Sequence, residues 1–311
     1  VVRHTSESVT VKVPGKINLA LRVGDLADDG FHPLVTVFQA VSVFDHVTVR
    51  PAPLREFTVE VGGAQTTGVP TDVNNIAIRA VRSLGVMLGG APTGIHLTLH
   101  KQIPVAGGMA GGSADAAGAL LAAATLWQMD LSTNELCAVA ATLGADVPFS
   151  LVGGTAVGTG RGDRLAPALS RGTYHWVLGL SRAQLSTPGV YRRFDELDAP
   201  KAPLGVPDGL MNALAAGDAE ALGPHLVNDL QPAAIDIVPE LEHTLRTGRS
   251  LGACGALVSG SGPTVAFLAR DEGSADDIAD ELRATTLCES VLRVTGPVPG
   301  ARVVHPEMVP G

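Results

Sequence analysis

The stretch Lys101-Gln102-Ile103-Pro104-Val105-Ala106-Gly107-Gly108-Met109-Ala110-Gly111-Gly112-Ser113-Ala114-Asp115 decides how the rest of the chain is read. A polar, partly β-branched segment ends at Ile103-Pro104, a run of glycines around Met109 follows, and a helix of small residues opens at Ser113. Glycine tolerates φ > 0 and lets backbone approach a ligand closely. A helix N-terminus behind such a loop has unpaired N–H groups and a partial positive charge. Together they make an anion site, phosphate being the usual anion, although dense glycine also marks ordinary turns and tight helix–sheet packing. Two familiar phosphate motifs do not fit. A Walker A loop needs lysine just before its Ser/Thr, and here Gly112 precedes Ser113. A dinucleotide fingerprint follows the first strand, whereas this loop lies a third of the way along the chain. A phosphate cradle of another kind, or a structural turn, remains.

The length of 311 residues suits one large domain or two intimately joined ones, and 45% hydrophobic against 17% charged residues supplies a real core. A formal net charge of -9 excludes a basic nucleic-acid footprint but not an anionic substrate held by local lysines and N–H groups. Cys137, Cys254 and Cys288 lie far apart with no CxxC, and the first two sit in apolar, small-residue runs. Buried reduced thiols in a reducing compartment are expected. No apolar run spans a bilayer and no signal-peptide pattern opens the chain, so no membrane partner and a cytoplasmic location are expected.

Outward from the loop, Gly94 to His100 reads as the strand leading in, and Ser113 to Met129 as a helix buried on most sides. Upstream, residues 1 to 8 read as a loosely held polar terminus. Val9 to Val13 and Ile17 to Val23 alternate as strands broken by Pro14-Gly15-Lys16, and Asp28-Asp29-Gly30 signals a hairpin turn. Val35 to Val43, His46 to Arg50 and Phe57 to Val61 read as further strands, making the first sixty residues mostly antiparallel β. Asn74-Asn75 can cap a helix to about Gly89. Downstream, Ser132 and Glu135 form a capping box opening a helix to Leu143. Asp146, in Gly144-Ala145-Asp146-Val147-Pro148-Phe149, is either a cap or a buried functional acid. Gly153 to Gly162 is a glycine-dense run ending in a charged turn. Beyond a boundary near 165, strands are expected at 176–180, 256–259, 264–268 and 292–295. Helices are expected at 188–197, 208–216, 218–227, 237–247 and 273–284, with an extended tail from Pro297. Ser259-Gly260-Ser261-Gly262-Pro263 is a second glycine turn, read as a hairpin loop or as donors for a second phosphate or a substrate hydroxyl.

Three motifs in this order, Pro14-Gly15-Lys16-Ile17-Asn18-Leu19, the run from Pro104 to Asp115, and Ser259-Gly260-Ser261-Gly262-Pro263-Thr264, resemble the GHMP kinase superfamily. Asp28-Asp29-Gly30-Phe31-His32, Thr71-Asp72-Val73-Asn74-Asn75-Ile76 and Leu143 to Phe149 are similar to its branch acting on cytidine diphosphate-linked methylerythritol. The resemblance runs from about Thr10 to Val304. It implies an α+β, two-domain GHMP kinase fold with the active site in the interdomain cleft, residues 1–165 binding ATP and 166–311 forming the second domain. It also implies transfer of the ATP γ-phosphate to a C2 hydroxyl in non-mevalonate isoprenoid synthesis, with Mg²⁺.

By the same resemblance Asp146 is the general base and Lys16 its partner. Pro104, Gly107, Gly108, Met109, Ala110, Gly111, Gly112 and Ser113 hold the nucleotide phosphates, Ser113 also contacts the metal, and Asn75 and Lys101 lie near the adenosine. Phe31, where the family commonly has Tyr, and Tyr191 would stack cytosine, His32 would bond its edge, and Asn18 would meet the erythritol end. A homoserine- or mevalonate-type kinase and a catalytically silent ligand sensor are the competing readings.

Overall fold

The computed structural model describes residues 8–198 and 202–304, so nearly all of the expected polar terminus lies outside the described residues. The chain opens with strands β1 (Val9–Val23), β2 (Leu34–Ala52) and β3 (Phe57–Gly63), then helix α1 (Ile76–Met87) and β4 (Gly94–Lys101). Helices α2 (Gly111–Leu126), α3 (Thr133–Leu143) and α4 (Val147–Val152) lead to β5 (Thr155–Gly160) and β6 (Arg164–Pro167). Then come β7 (Tyr174–Leu180), α5 (Thr187–Leu197), α6 (Asp208–Ala216), α7 (Ala219–Leu222) and the short β8 (Val227–Asn228). The chain continues through α8 (Gln231–Ile237), α9 (Glu240–Ser250), β9 (Gly255–Val258), β10 (Val265–Ala269), α10 (Glu272–Ala284), β11 (Ser290–Gly296) and β12 (Arg302–Val304).

The expected break at Pro14-Gly15-Lys16 is a β-bulge inside one continuous strand, with a register shift between Pro14 and Gly15 against β2. A bulge is where a sheet accepts proline, and it re-aims the residues that follow, Lys16 among them. The expected separate strands around residues 35–50 are likewise one strand, β2. The mostly antiparallel character expected of the first sixty residues is that of β1 and β2, while β3 pairs in parallel with the later β4. Helix α1 lies between them and supplies the crossover that a parallel pair needs. The glycine-dense run is strand β5, paired with Leu34–Gln39 of β2. Glycine serves close approach there, since a Cβ on Gly158 would lie 2.9 Å from the Phe38 ring.

Helix α2 lies across the first sheet and is buried on almost every side. Its small residues are a packing requirement: a Cβ on Gly118 would stand 2.7 Å from Val47 and 2.8 Å from Val13. The second sheet has the order β11-β7-β10-β9 and is antiparallel throughout. Its alternate residues face two cores. Trp176, Leu178 and Leu268 join the core beneath α2, while Val177, Phe267 and Ala269 pack under α9 and α10. A buried hydrogen bond of 2.9 Å from Trp176 Nε1 to Gln39 Oε1 ties the two sheets together.

Two other expectations change. The helix expected over 218–227 divides into α7, a 3-10 turn at Gly223–His225 containing Pro224, and β8, which pairs in parallel with β1. The helix expected over 237–247 is α9, which starts only after Pro239, and α8 precedes it where no helix was expected. The segment expected to be extended from Pro297 leads into β12, which pairs with β1.

Candidate active site

The β1 bulge delivers Lys16 and Asn18 to one face, where they meet both glycine loops. Lys16 Nζ donates to Asn18 Oδ1 at 2.7 Å and to the Gly108 carbonyl at 3.0 Å, and lies 3.7 Å from Asp146 Oδ2. The strand is also tied by its backbone, Lys16 N to Met109 O at 3.2 Å. Asn18 Nδ2 donates to Thr36 Oγ1, which donates to Ala20 O, so Asn18 is held on both sides. Asp146 precedes α4 but caps nothing with its side chain. Its carboxylate is about one-third exposed (33%), with Lys16 as its partner. An acid set between small residues and left uncapped is available for chemistry.

The two glycine loops fit together at a point where no side chain has room. Gly108 has φ +73, and a Cβ on it would sit 2.1 Å from Ser259 O. Gly260 (φ +57) lies over Lys16 and Asn18, and a Cβ there would be 3.2 Å from Lys16 Nζ. Asn228 Nδ2 holds this second loop through Val258 O and Gly260 O, both at 2.7 Å.

These groups line a cavity of about 500 Å³ that also takes in Gly107, Gly111, Gly112 and Ser113. Helix α2 starts behind Ala110 (φ 59) with no side-chain cap, so its first N–H groups lack intrahelical acceptors at the cavity wall. A second cavity of about 690 Å³ adjoins it, lined by Phe31, His32, Tyr191 and Arg192. Leu34, Arg161, Thr187 and Tyr191 line both. Phe31 is 52% exposed, with the Arg161 guanidinium 5.0 Å from its ring centroid. The His32 ring lies 5.3 Å from that of Tyr191, tilted by 33°. Burial first, then the Asp146 charge, raise the Tyr191 pKa, keeping the phenol protonated beside the carboxylate.

Of the residues singled out in the sequence, Lys16, Asn18, Asp146, Pro104, Gly107, Gly108, Ala110, Gly111, Gly112 and Ser113 line the first cavity. Phe31, His32 and Tyr191 line the second. Three do not line either. Met109 is buried in the core and contributes its carbonyl to Lys16. Asn75 caps α1, its Oδ1 accepting from Ala77 N at 2.9 Å. Lys101 is buried between Asp45 and Asp115. His32 is committed as well: its Nδ1 donates to Gly24 O at 2.8 Å and its Nε2 is 3.3 Å from Asp195 Oδ2.

Sequence reasoning missed Thr36, Asn228, Arg161 and Asp45. Arg161 follows Gly160 in a charged turn, a visible signal for an exposed cation but not for what it faces. Asp115, at the end of the glycine stretch, is buried and paired with Lys101. Among the described residues, no group of three or more His, Cys, Asp or Glu could hold a metal, and no helix is long and apolar enough to cross a membrane. The three cysteines are free, with Cys137 and Cys254 half-buried rather than buried.

The GHMP kinases N terminal domain matches residues 75–154 and the GHMP kinases C terminal domain residues 210–286. The chain is 52% identical over 299 residues to a 4-diphosphocytidyl-2-C-methyl-D-erythritol kinase of Rhodococcus jostii, covering 96% of this chain and 95% of that one. The Streptomyces coelicolor protein of the same name is also 52% identical, over 96% and 99%. A crystal structure of 4-(cytidine 5'-diphospho)-2C-methyl-D-erythritol kinase superposes with a TM-score of 0.73 at 34% identity, covering 92% and 98%. Homoserine kinase from Cytophaga hutchinsonii superposes equally well, TM-score 0.74, at 17% identity over 98% and 99%, a likeness of fold alone.

Proposed function

From the premise that the chain belongs to the GHMP kinases, and among them to the 4-diphosphocytidyl-2-C-methyl-D-erythritol kinases, we propose how its residues divide the work. The activity is ATP-dependent phosphorylation of the C2 hydroxyl of 4-diphosphocytidyl-2-C-methyl-D-erythritol, giving the 2-phosphate in isoprenoid precursor synthesis. The observation that carries the assignment of roles is the Lys16–Asp146 pair at the mouth of the glycine loop.

A tertiary alcohol is a poor nucleophile, so its proton must leave as phosphorus is attacked. Asp146 accepts that proton from the C2 hydroxyl. The oxygen forms a bond to the γ-phosphorus, the bond to the bridging oxygen breaks, and ADP departs with that electron pair. Lys16 stands beside the carboxylate and favours the oxyanion over the alcohol. Catalysis is otherwise positioning and charge neutralisation. The N–H groups from Gly107 to Ser113 bind the ATP phosphates and Asn18 orients the erythritol end. Mg²⁺ would neutralise phosphate charge. The Ser113 hydroxyl, which makes no hydrogen bond in the described residues and lines the cavity, would contact it.

The adjoining cavities suit a substrate with a base at one end and a polyol at the other. Phe31 and Tyr191 would flank cytosine in the second cavity. The diphosphate would cross the seam, where Arg161 is the shared cation and Arg192 stands nearby. His32 would reach the base edge only by displacing Asp195. The reading keeps a domain division near residue 165, since the second sheet is built wholly beyond it while β8 and β12 return to β1. It keeps a cytoplasmic location too, supported by the free thiols.

The test is ADP release with purified protein, ATP and Mg²⁺. 4-Diphosphocytidyl-2-C-methyl-D-erythritol, homoserine, mevalonate and galactose are compared as acceptors. Turnover confined to the cytidyl substrate is expected. Turnover on another alcohol would refute the cytosine pocket and leave the Lys16–Asp146 roles standing.

A further inference from the structure

Under the phosphate loop, and lining neither cavity of the site, lies a buried ion cluster. Lys101 is 1% exposed, Asp45 0% and Asp115 2%. Lys101 Nζ donates to Asp45 Oδ2, to Asp115 Oδ2 at 2.7 Å and to the Gly111 carbonyl at 3.2 Å. An ammonium has three protons, and all three are engaged. The other oxygen of Asp45 accepts from Gln102 N at 2.6 Å and Ile103 N at 2.9 Å.

The cluster therefore grips both ends of the loop. Asp45 holds the entry at Gln102 and Ile103, and Lys101 holds the exit at Gly111 and, through Asp115, the first turns of α2. Between these anchors the loop carries two non-glycine residues at positive φ, Ala106 (53) and Ala110 (59), which their own preferences would not maintain. A buried ion cluster adds little stability over well-packed apolar side chains. Here it supplies directional bonds to backbone atoms, which apolar packing cannot.

We propose that Lys101 is a positioning residue, which with Asp45 and Asp115 fixes the direction of the loop's N–H donors and does not itself touch the nucleotide. This rests on the reading above that the loop binds the ATP phosphates, and it replaces the adenosine contact implied by the family resemblance. A residue acting through the loop affects ligands that carry phosphates. A residue at the adenosine would affect adenosine itself.

The test measures the affinity of ATP and of adenosine, by displacement of a fluorescent ATP analogue, in wild type, Lys101→Met, Asp115→Asn and the double variant. Lys101→Met is expected to weaken ATP by about tenfold or more while adenosine stays within about twofold. Asp115→Asn keeps an acceptor for Lys101 and is expected to weaken ATP by less than about threefold. The double variant should be no worse than Lys101→Met, because both changes act through one cluster. Equal weakening of ATP and adenosine, or additive effects, would overturn the proposal.

Asp45→Asn serves if Lys101→Met does not fold. Asp45 is too buried to touch a ligand, its carboxamide oxygen can still accept from the loop, and its link to Lys101 is lost. Unchanged ATP affinity in that variant would also overturn the proposal. Wild-type protein that bound ATP without phosphorylating the cytidyl substrate would refute the function and leave these readouts intact. Wild-type protein that bound no ATP would refute both.

Discussion

Gly108→Ala tests whether the contact between the two glycine loops shapes the site. The residue has φ +73, and an alanine Cβ would lie 2.1 Å from the Ser259 carbonyl oxygen, a backbone atom that cannot swing aside. The left-handed conformation costs an L-residue roughly 1–2 kcal/mol, and forcing the loops apart costs about 1–3 kcal/mol more. The total of about 2–5 kcal/mol corresponds to a fall in Tm of about 4–10 °C at about 2 °C per kcal/mol. Function should suffer more than stability. The Gly108 carbonyl accepts from both Lys16 Nζ and Ser259 Oγ, so a shifted loop carries Lys16 with it. A displacement of about 1 Å in a positioning group costs on the order of a hundredfold in rate. Gly112→Ala is the control for stability, because its Cβ meets only Ile76 Cγ2 at 3.8 Å and it lies within a helix. It should hold or raise Tm. Thermal melts and steady-state ADP release read both variants. A Gly108→Ala protein with wild-type Tm and wild-type ATP KM would refute the close-approach argument.

Asp146→Asn should lower kcat by roughly 10²–10⁴ while ATP affinity is kept, since the base is removed and the phosphate cradle is not; near-normal turnover would remove Asp146 from the role of base. Phe31→Ala, at a half-exposed side chain, should leave Tm nearly unchanged and raise the KM for the cytidyl substrate about five- to tenfold, the loss of one aromatic platform. An unchanged KM would mean that cytosine does not rest there. The Asp115 carboxyl is pushed from 3.8 to about 7, by burial first and the Asp45 charge further, against the attraction of Lys101. Between those values the folded protein keeps a proton that the unfolded chain has lost, so this group makes stability fall as pH rises from about 4 to about 7. Asp115→Asn should flatten the dependence of Tm on pH in that window, and an unaltered slope would mean that another group titrates there.

Much of the fold is written locally. Asn75 caps α1 and Ser132 with Glu135 closes a capping box, as side-chain chemistry within three residues dictates. The small residues of α2 announce a helix buried on most sides. Harder to see was β5, because its glycines suggest a turn until Phe38 and Leu34–Gln39 are present to pack and pair with it. Pro14-Gly15 looked like a break, and only the β2 register turns it into a bulge.

The candidate site divides the same way. Glycine spacing and the small-residue helix behind it, which starts at Gly111 rather than at the expected Ser113, are local signals of a phosphate loop, whereas Asp146 reads locally as a cap or an acid and only the structure leaves its side chain uncapped. Taken alone, Lys16 reads as a solvated lysine on a sheet face, and it is buried because Gly108, Asn18 and Asp146 surround it. Lys101 looks like a cation placed before a phosphate loop. Tertiary structure turns it inward to Asp45, 56 positions away, and gives it a carbonyl to hold in place of a ligand. The sequence by itself determined which residues can bend, cap, donate or ionise, because those properties belong to a residue and its near neighbours. Which charges meet and which are sealed from water depends on contacts between distant segments, and only the tertiary structure decided that.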